Sequence, residues 1–134
     1  MKNLAIKNGL VTKRESTKLE FKTSFTKHVK SYIKSVCAFA NNSGGYIIFG
    51  VEDKPRKPVG LQNKLKDFQD YDGKDFETIL QNFLSAKVEF EFTNFSQEIN
   101  GQELEFGILK IKESKIKPVI CKITDGVEKL REGK

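Results

Sequence analysis

Apolar and polar positions recur along the chain in patterns that predict its elements. Lys18-Leu19-Glu20-Phe21-Lys22 alternates with period two, which predicts a strand with Leu19 and Phe21 inward and the charged residues on the opposite face. Within residues 25–40 the apolar positions Val29, Ile33, Val36, Cys37 and Ala40 fall at three- and four-residue steps. They predict a helix, capped by Thr23 or Ser24, with one buried stripe and with Lys27, Lys30 and Lys34 on its other faces. Asn41-Asn42-Ser43-Gly44-Gly45 ends it, because asparagine and glycine tolerate the left-handed backbone that closes a helix. Residues 46–51 are almost wholly apolar, as expected of a central strand covered on both faces.

Beyond this point the pattern is sparser. Residues 52–58 form a polar, proline-marked turn, 59–61 pair back as a short strand, 62–75 read as a loop, and 76–84 as a short helix. Alternation over 88–95 and an extended run over 104–111, separated by Asn100-Gly101, predict a β-hairpin. Pro118-Val119-Ile120 begins a further apolar piece, Asp125-Gly126 marks a turn, and 127–131 read as a last strand. Residues 1–13 are a lead-in segment or an edge strand. Strands grouped with two main helices, rather than alternating with them, indicate an α+β fold around a mixed β-sheet.

Length changes the picture only by bounding it: 134 residues suit one domain, 1–134, large enough for a core without disulfides or a structural metal. No apolar run approaches the roughly 20 residues of a membrane span, and the amino terminus has no secretory apolar core. A cytoplasmic protein without membrane partners is expected. Cys37 and Cys121 have no metal-like spacing and are read as reduced thiols, Cys37 as a core residue.

Charge adds more. The formal net charge is +6, yet residues 1–34 hold nine basic side chains against Glu15 and Glu20, a net of +7 there and −1 elsewhere. Such a field attracts polyanions and gains from counterion release when phosphates are neutralised, so nucleic acid is the first partner to consider. Lys18, Lys22, Lys27, Lys30 and Lys34 are the candidate phosphate contacts. The plainer alternative is a solubilising, lysine-rich terminus.

Glu15 and Glu20 flank or lie on the first strand, and Glu52-Asp53 follow the central one. If these strands are neighbours, Glu20 and either Glu52 or Asp53 could converge. Converging carboxylates bind Mg²⁺ or Mn²⁺, and such a metal supports phosphodiester cleavage. The alternative is that Glu20 pairs with Lys18 or Lys22 and that Glu52-Asp53 solvate a turn. Gly44-Gly45 fits no phosphate-loop pattern. His28, the single histidine, reads as a surface residue, and Phe90, Phe92 and Phe95 as core rather than base-stacking residues.

Taken in order, three blocks closely resemble the Schlafen-type Alba-like (AlbA_2) domain family: Glu15-Ser16-Thr17-Lys18-Leu19-Glu20-Phe21-Lys22, then Ala38-Phe39-Ala40-Asn41-Asn42-Ser43-Gly44-Gly45, then Gly50-Val51-Glu52-Asp53. Lys117-Pro118-Val119 and Leu130-Arg131-Glu132-Gly133 resemble the family's later strands. The resemblance implies a mixed α+β domain first regarded as a DNA-binding module of bacterial and archaeal regulators. In animal Schlafen proteins, similar domains form an endoribonuclease that cuts transfer and ribosomal RNA with three acids and a divalent metal. Carried over by motif, Glu15 and Glu20 match two of those acids. Glu52 matches the third by position and Asp53 by residue type, while Lys22 matches the family lysine.

The leading expectation is a nucleic-acid-binding module, for DNA or RNA, of a prokaryotic regulatory or defence protein. The alternative is a Mg²⁺- or Mn²⁺-dependent endoribonuclease with catalytic and metal-binding Glu15, Glu20 and Glu52 or Asp53. A third option is a dimerisation or sensor domain. A single copy would need a homodimer to enclose RNA as paired animal domains do, and further C-terminal domains are expected in a full-length protein.

Overall fold

The computed structural model describes residues 3–122. Its main sheet has the order β3-β4-β6-β5, built from Leu19–Lys22 (β3), Gly45–Phe49 (β4), Phe90–Ile99 (β5) and Gln102–Ile111 (β6). β3 runs parallel to β4, with Glu20 opposite Ile47 and Lys22 opposite Phe49, and the other pairs are antiparallel. The mixed sheet and α+β class are thus as the sequence predicts. The neighbouring first and central strands, a condition in the acid argument, are also present. The last strand and its Asp125-Gly126 turn lie outside the described residues.

Each face of the sheet carries its own core. On one face Ile47, Phe49, Leu109 and Ile111 pack against α1 (Ile33–Asn41), α2 (Leu65–Asp70) and α3 (Gly73–Phe83). On the other, Leu19, Phe21, Ile48 and Phe106 pack with Leu4 and Val11 of the amino-terminal segment. The central strand is therefore covered on both sides, and Ile47, Ile48, Phe49 and Val51 are fully buried. Glu20 and Lys22, whose face the alternation assigns to the outside, lie at the margin of the helix side instead, because the sheet has no bare face there.

The predicted apolar stripe of the first helix is buried at every position, but the helix begins later than its period suggests. A 3-10 turn covers Val29–Tyr32 and α1 follows. The cause is Phe25, which drops into an aromatic cluster, with ring centroids 5.5 Å from Phe49 and 5.1 Å from Phe68. Thr26 then donates its backbone N–H to the Tyr32 hydroxyl at 2.9 Å, which holds the chain in a loop where the helix would otherwise start. Burial raises the pKa of Tyr32, so this hydroxyl stays protonated and neutral.

Three further differences have local reasons. The loop predicted over 62–75 contains a 3-10 turn and α2, docked by buried Phe68. Residues 73–83 form α3, with the Asp72 side chain accepting from the Lys74 N–H at its start, a cap four residues ahead of the predicted apolar run. The lead-in segment is a miniature hairpin of Ile6–Lys7 (β1) and Leu10–Val11 (β2), turned by Asn8-Gly9 with positive φ at both residues. The long hairpin turns at Asn100-Gly101 in the same way, as predicted. Residues 59–61 return towards the central strand only through a Val51–Pro58 bridge and two N–H bonds to the Gly50 carbonyl.

Phe90 and Phe92 pack edge-on around Phe76 and Phe95 stacks on Phe106, so these rings serve the core. Buried Cys37 donates to the Val119 carbonyl, and burial first, then nearby Cys121, pushes its thiol pKa up, which keeps it a protonated core residue. No helix among the described residues is long and apolar enough to cross a membrane.

Candidate functional site

The segment before β3 folds back on it. Ser16 and Leu19 exchange backbone bonds and the Ser16 hydroxyl accepts from the Lys18 N–H, a tight turn that lays Glu15 along the open edge of the strand. There the Glu15 carboxylate accepts the Phe21 N–H at 2.8 Å. A parallel edge strand leaves alternate N–H groups unpaired, and Glu15 satisfies one of them.

On the helix side, Glu20 reaches across to α1. Its carboxylate accepts from the Ser35 hydroxyl and pairs with Lys22 at 3.0 Å. This is the pairing that the plainer sequence reading anticipates, with one addition, Ser35. Helix residues 34, 35, 38 and 42 share one side of α1, and small Ala38 leaves room above the strand. The result is a hollow of about 540 Å³ lined by Glu15, Glu20, Lys22, Lys34, Ser35 and Asp53, among others.

The fate of each candidate follows from this geometry. Glu15, Glu20 and Asp53 are brought to one hollow; Glu52 is not among its lining, and its backbone N–H instead closes the proline turn onto the Lys57 carbonyl. Lys22 and Lys34 join the acids. Lys27 pairs with Asp67 of α2 at 3.7 Å, and Lys30 lies 5.0 Å over the Phe83 ring of α3, so both point away from the hollow. Lys18 lines a separate, adjoining depression. His28 is exposed, as predicted.

The residues that sequence reasoning missed are Ser35 and Asn42. Their signal was the three- and four-residue spacing of Lys34, Ser35, Ala38 and Asn42, a second side of the helix beside the apolar stripe.

The acids do not fit a shared metal as they stand. Glu15 is held by a backbone N–H and Glu20 by Ser35 and Lys22, and among the described residues no three His, Cys, Asp or Glu side chains form a group able to hold an ion. Another hollow of about 540 Å³, between α3 and residues 84–90, is walled by Leu80, Leu84, Val88 and Phe90 and holds none of the candidate residues.

The family model described as Schlafen, AlbA_2 matches residues 15–134. The chain belongs to this family. The match starts at Glu15, the acid that folds onto β3, and leaves the β1–β2 hairpin outside it.

An uncharacterized ATP-binding protein of Ureaplasma parvum serovar 3 is 38% identical to this AlbA_2 chain over 138 residues. The matched region covers 96% of this chain and 38% of that protein, so the chain spans well under half of its relative. The solution structure of the N-terminal domain of an ATP-dependent DNA helicase RecG-related protein from Nitrosomonas europaea superposes with a TM-score of 0.53 and 26% identity, over 84% of this chain and 74% of that one.

Proposed function

We propose that this AlbA_2 domain is a nucleic-acid-binding module of a larger prokaryotic regulatory or defence protein, and that the face carrying Lys18, Lys22 and Lys34 contacts the phosphate backbone. The observation that carries the reading is the convergence of Lys22 from β3 and Lys34 from α1 on one hollow, beside the Ser35 hydroxyl and the Asn42 amide. Two elements held together by the core present cations and neutral polar groups to one ligand, as backbone contacts require. The family and the DNA-helicase-related neighbour support it.

Binding of a single-stranded oligonucleotide is expected at low salt, with affinity falling linearly on a log–log plot as salt rises. The Lys22→Ala/Lys34→Ala double variant should weaken it roughly tenfold and flatten the slope by about 0.7 per lysine removed. No retention of DNA or RNA at low salt would sink the reading.

A second reading, RNA cleavage, is favoured by the gathering of Glu15, Glu20 and Asp53 in the same hollow. Incubation of transfer RNA with the chain, with and without chelator, separates the two. If the domain only binds, RNA stays intact. Glu20→Gln then tightens binding about threefold to tenfold, because it removes a negative charge beside the phosphates, an effect on the order of 1 kcal/mol. Chelator-sensitive cleavage that disappears in Glu20→Gln would establish the second reading in its place.

A further inference from the structure

The acid hollow has a neighbour of about 270 Å³ whose walls include Lys18, Ser43, Tyr46, Lys110 and Lys112. The two adjoin: Leu19 and Asn42 line the first, while Lys18 and Ser43, the next residues of the same strand and turn, line the second. Their charge differs. The first sets Glu15, Glu20 and Asp53 against Lys22 and Lys34, an excess of acid. The second sets Lys18, Lys110 and Lys112 against Glu113.

Ion pairing sharpens the contrast. Lys112 pairs with Glu89 at 3.5 Å and Glu113 with Lys117 at 2.5 Å, while Lys18 and Lys110 make no ion pair within 4 Å among the described residues, although β5 sets Glu91 opposite Lys110. The floor is bare backbone. A Cβ on Gly44 would stand 2.7 Å from the Ile111 carbonyl oxygen and one on Gly45 2.8 Å from that of Lys18, so close strand packing keeps side chains away from this floor. Lys18, Lys110, Ser43 and Tyr46 all line the hollow, and their cationic and hydroxyl groups are of the kind that suits a phosphate.

We propose that this second hollow anchors a phosphodiester of the same nucleic-acid strand whose adjoining backbone crosses the acid hollow. The inference rests on nucleic-acid binding as proposed above. It assigns the stronger phosphate contact to Lys110, a residue remote in sequence from the basic amino-terminal third. Lys110 is exposed on β6, so its replacement leaves the core intact.

The test is fluorescence anisotropy with a labelled 12-nucleotide single-stranded RNA over a salt series, on the whole chain. Lys110→Ala should weaken binding about fivefold and flatten the salt slope by about 0.7, and Lys110→Glu should weaken it further. Unchanged affinity and slope in both variants, while the wild type binds and the Lys22→Ala/Lys34→Ala variant loses affinity, would overturn the second hollow and leave the first reading standing. Absence of salt-dependent binding by the wild type would overturn both. Displacement of the RNA by millimolar inorganic phosphate at constant ionic strength would mark a small-anion site and also overturn the proposal.

Discussion

Phe49→Ala is expected to cost about 3–5 kcal/mol of folding stability, the range for truncating a fully buried phenylalanine. Phe49 ends the central strand with no exposed surface, and its ring meets those of Phe25, Tyr32 and Phe68 at centroid distances of 5.5, 5.3 and 5.6 Å. Those three come from the loop before α1, the 3-10 turn and α2, so removing the ring leaves a cavity that no single neighbour can fill by shifting. A domain of this size holds roughly 5–15 kcal/mol in all. Thermal unfolding followed by circular dichroism should therefore show a Tm lower by on the order of 10 °C. A drop of only a degree or two would show that the cluster collapses onto the gap.

The second large effect joins stability to the site. Gly45→Ala would put a Cβ 2.5 Å from the Phe39 ring and 2.8 Å from the Lys18 carbonyl oxygen. Phe39 is buried and cannot swing out, and the carbonyl belongs to the strand that carries Glu20 and Lys22. The added methyl must therefore pry β3 from β4, at a cost of about 3 kcal/mol. Because the two hollows meet along this seam, oligonucleotide affinity should fall well beyond the loss seen on removing any one lysine. Denaturant unfolding read beside anisotropy tests both parts. An alanine variant with wild-type stability and affinity would show that the seam has slack.

Much of the fold could be read from the sequence wherever one residue type answers one local demand. Asn100-Gly101 supplies two positive φ angles, and the alternation around it can be satisfied only by a hairpin. Asn8-Gly9 carries the same signal but is flanked by strands of only two residues, too short to show a period. α2 was hidden for a different reason. Its sequence is polar apart from Leu65 and Phe68, and it docks because Gly107, far along the chain, leaves space: a Cβ there would stand 2.7 Å from the Phe68 ring. No local pattern records that pairing.

For the site, the strand pairing and the identity of the acids were legible, while the sorting of the lysines was not. Lys27, Lys30 and Lys34 look equivalent on a helix that starts at 25, but the first two precede α1 and turn to α2 and α3. Lys110 gave no signal at all, since it lies outside the basic segment and reaches its hollow only through the β4–β6 register that sets it opposite Tyr46.

That register also divides the two hollows by what each requires of the sheet. β5 and β6 are closed by a two-residue turn and pair with little loop entropy lost, whereas β3 and β4 run parallel and are joined through the crossover that holds α1, with Leu19 opposite Tyr46. The β4–β6 seam joins these two pairs across a long separation and comes at greater entropic cost. The acid hollow is made wholly from the β3–α1–β4 unit and its flanks, whereas the lysine hollow straddles the seam. The first needs only the β3–α1–β4 unit in place; the second exists only where the β4–β6 pairing has closed as well.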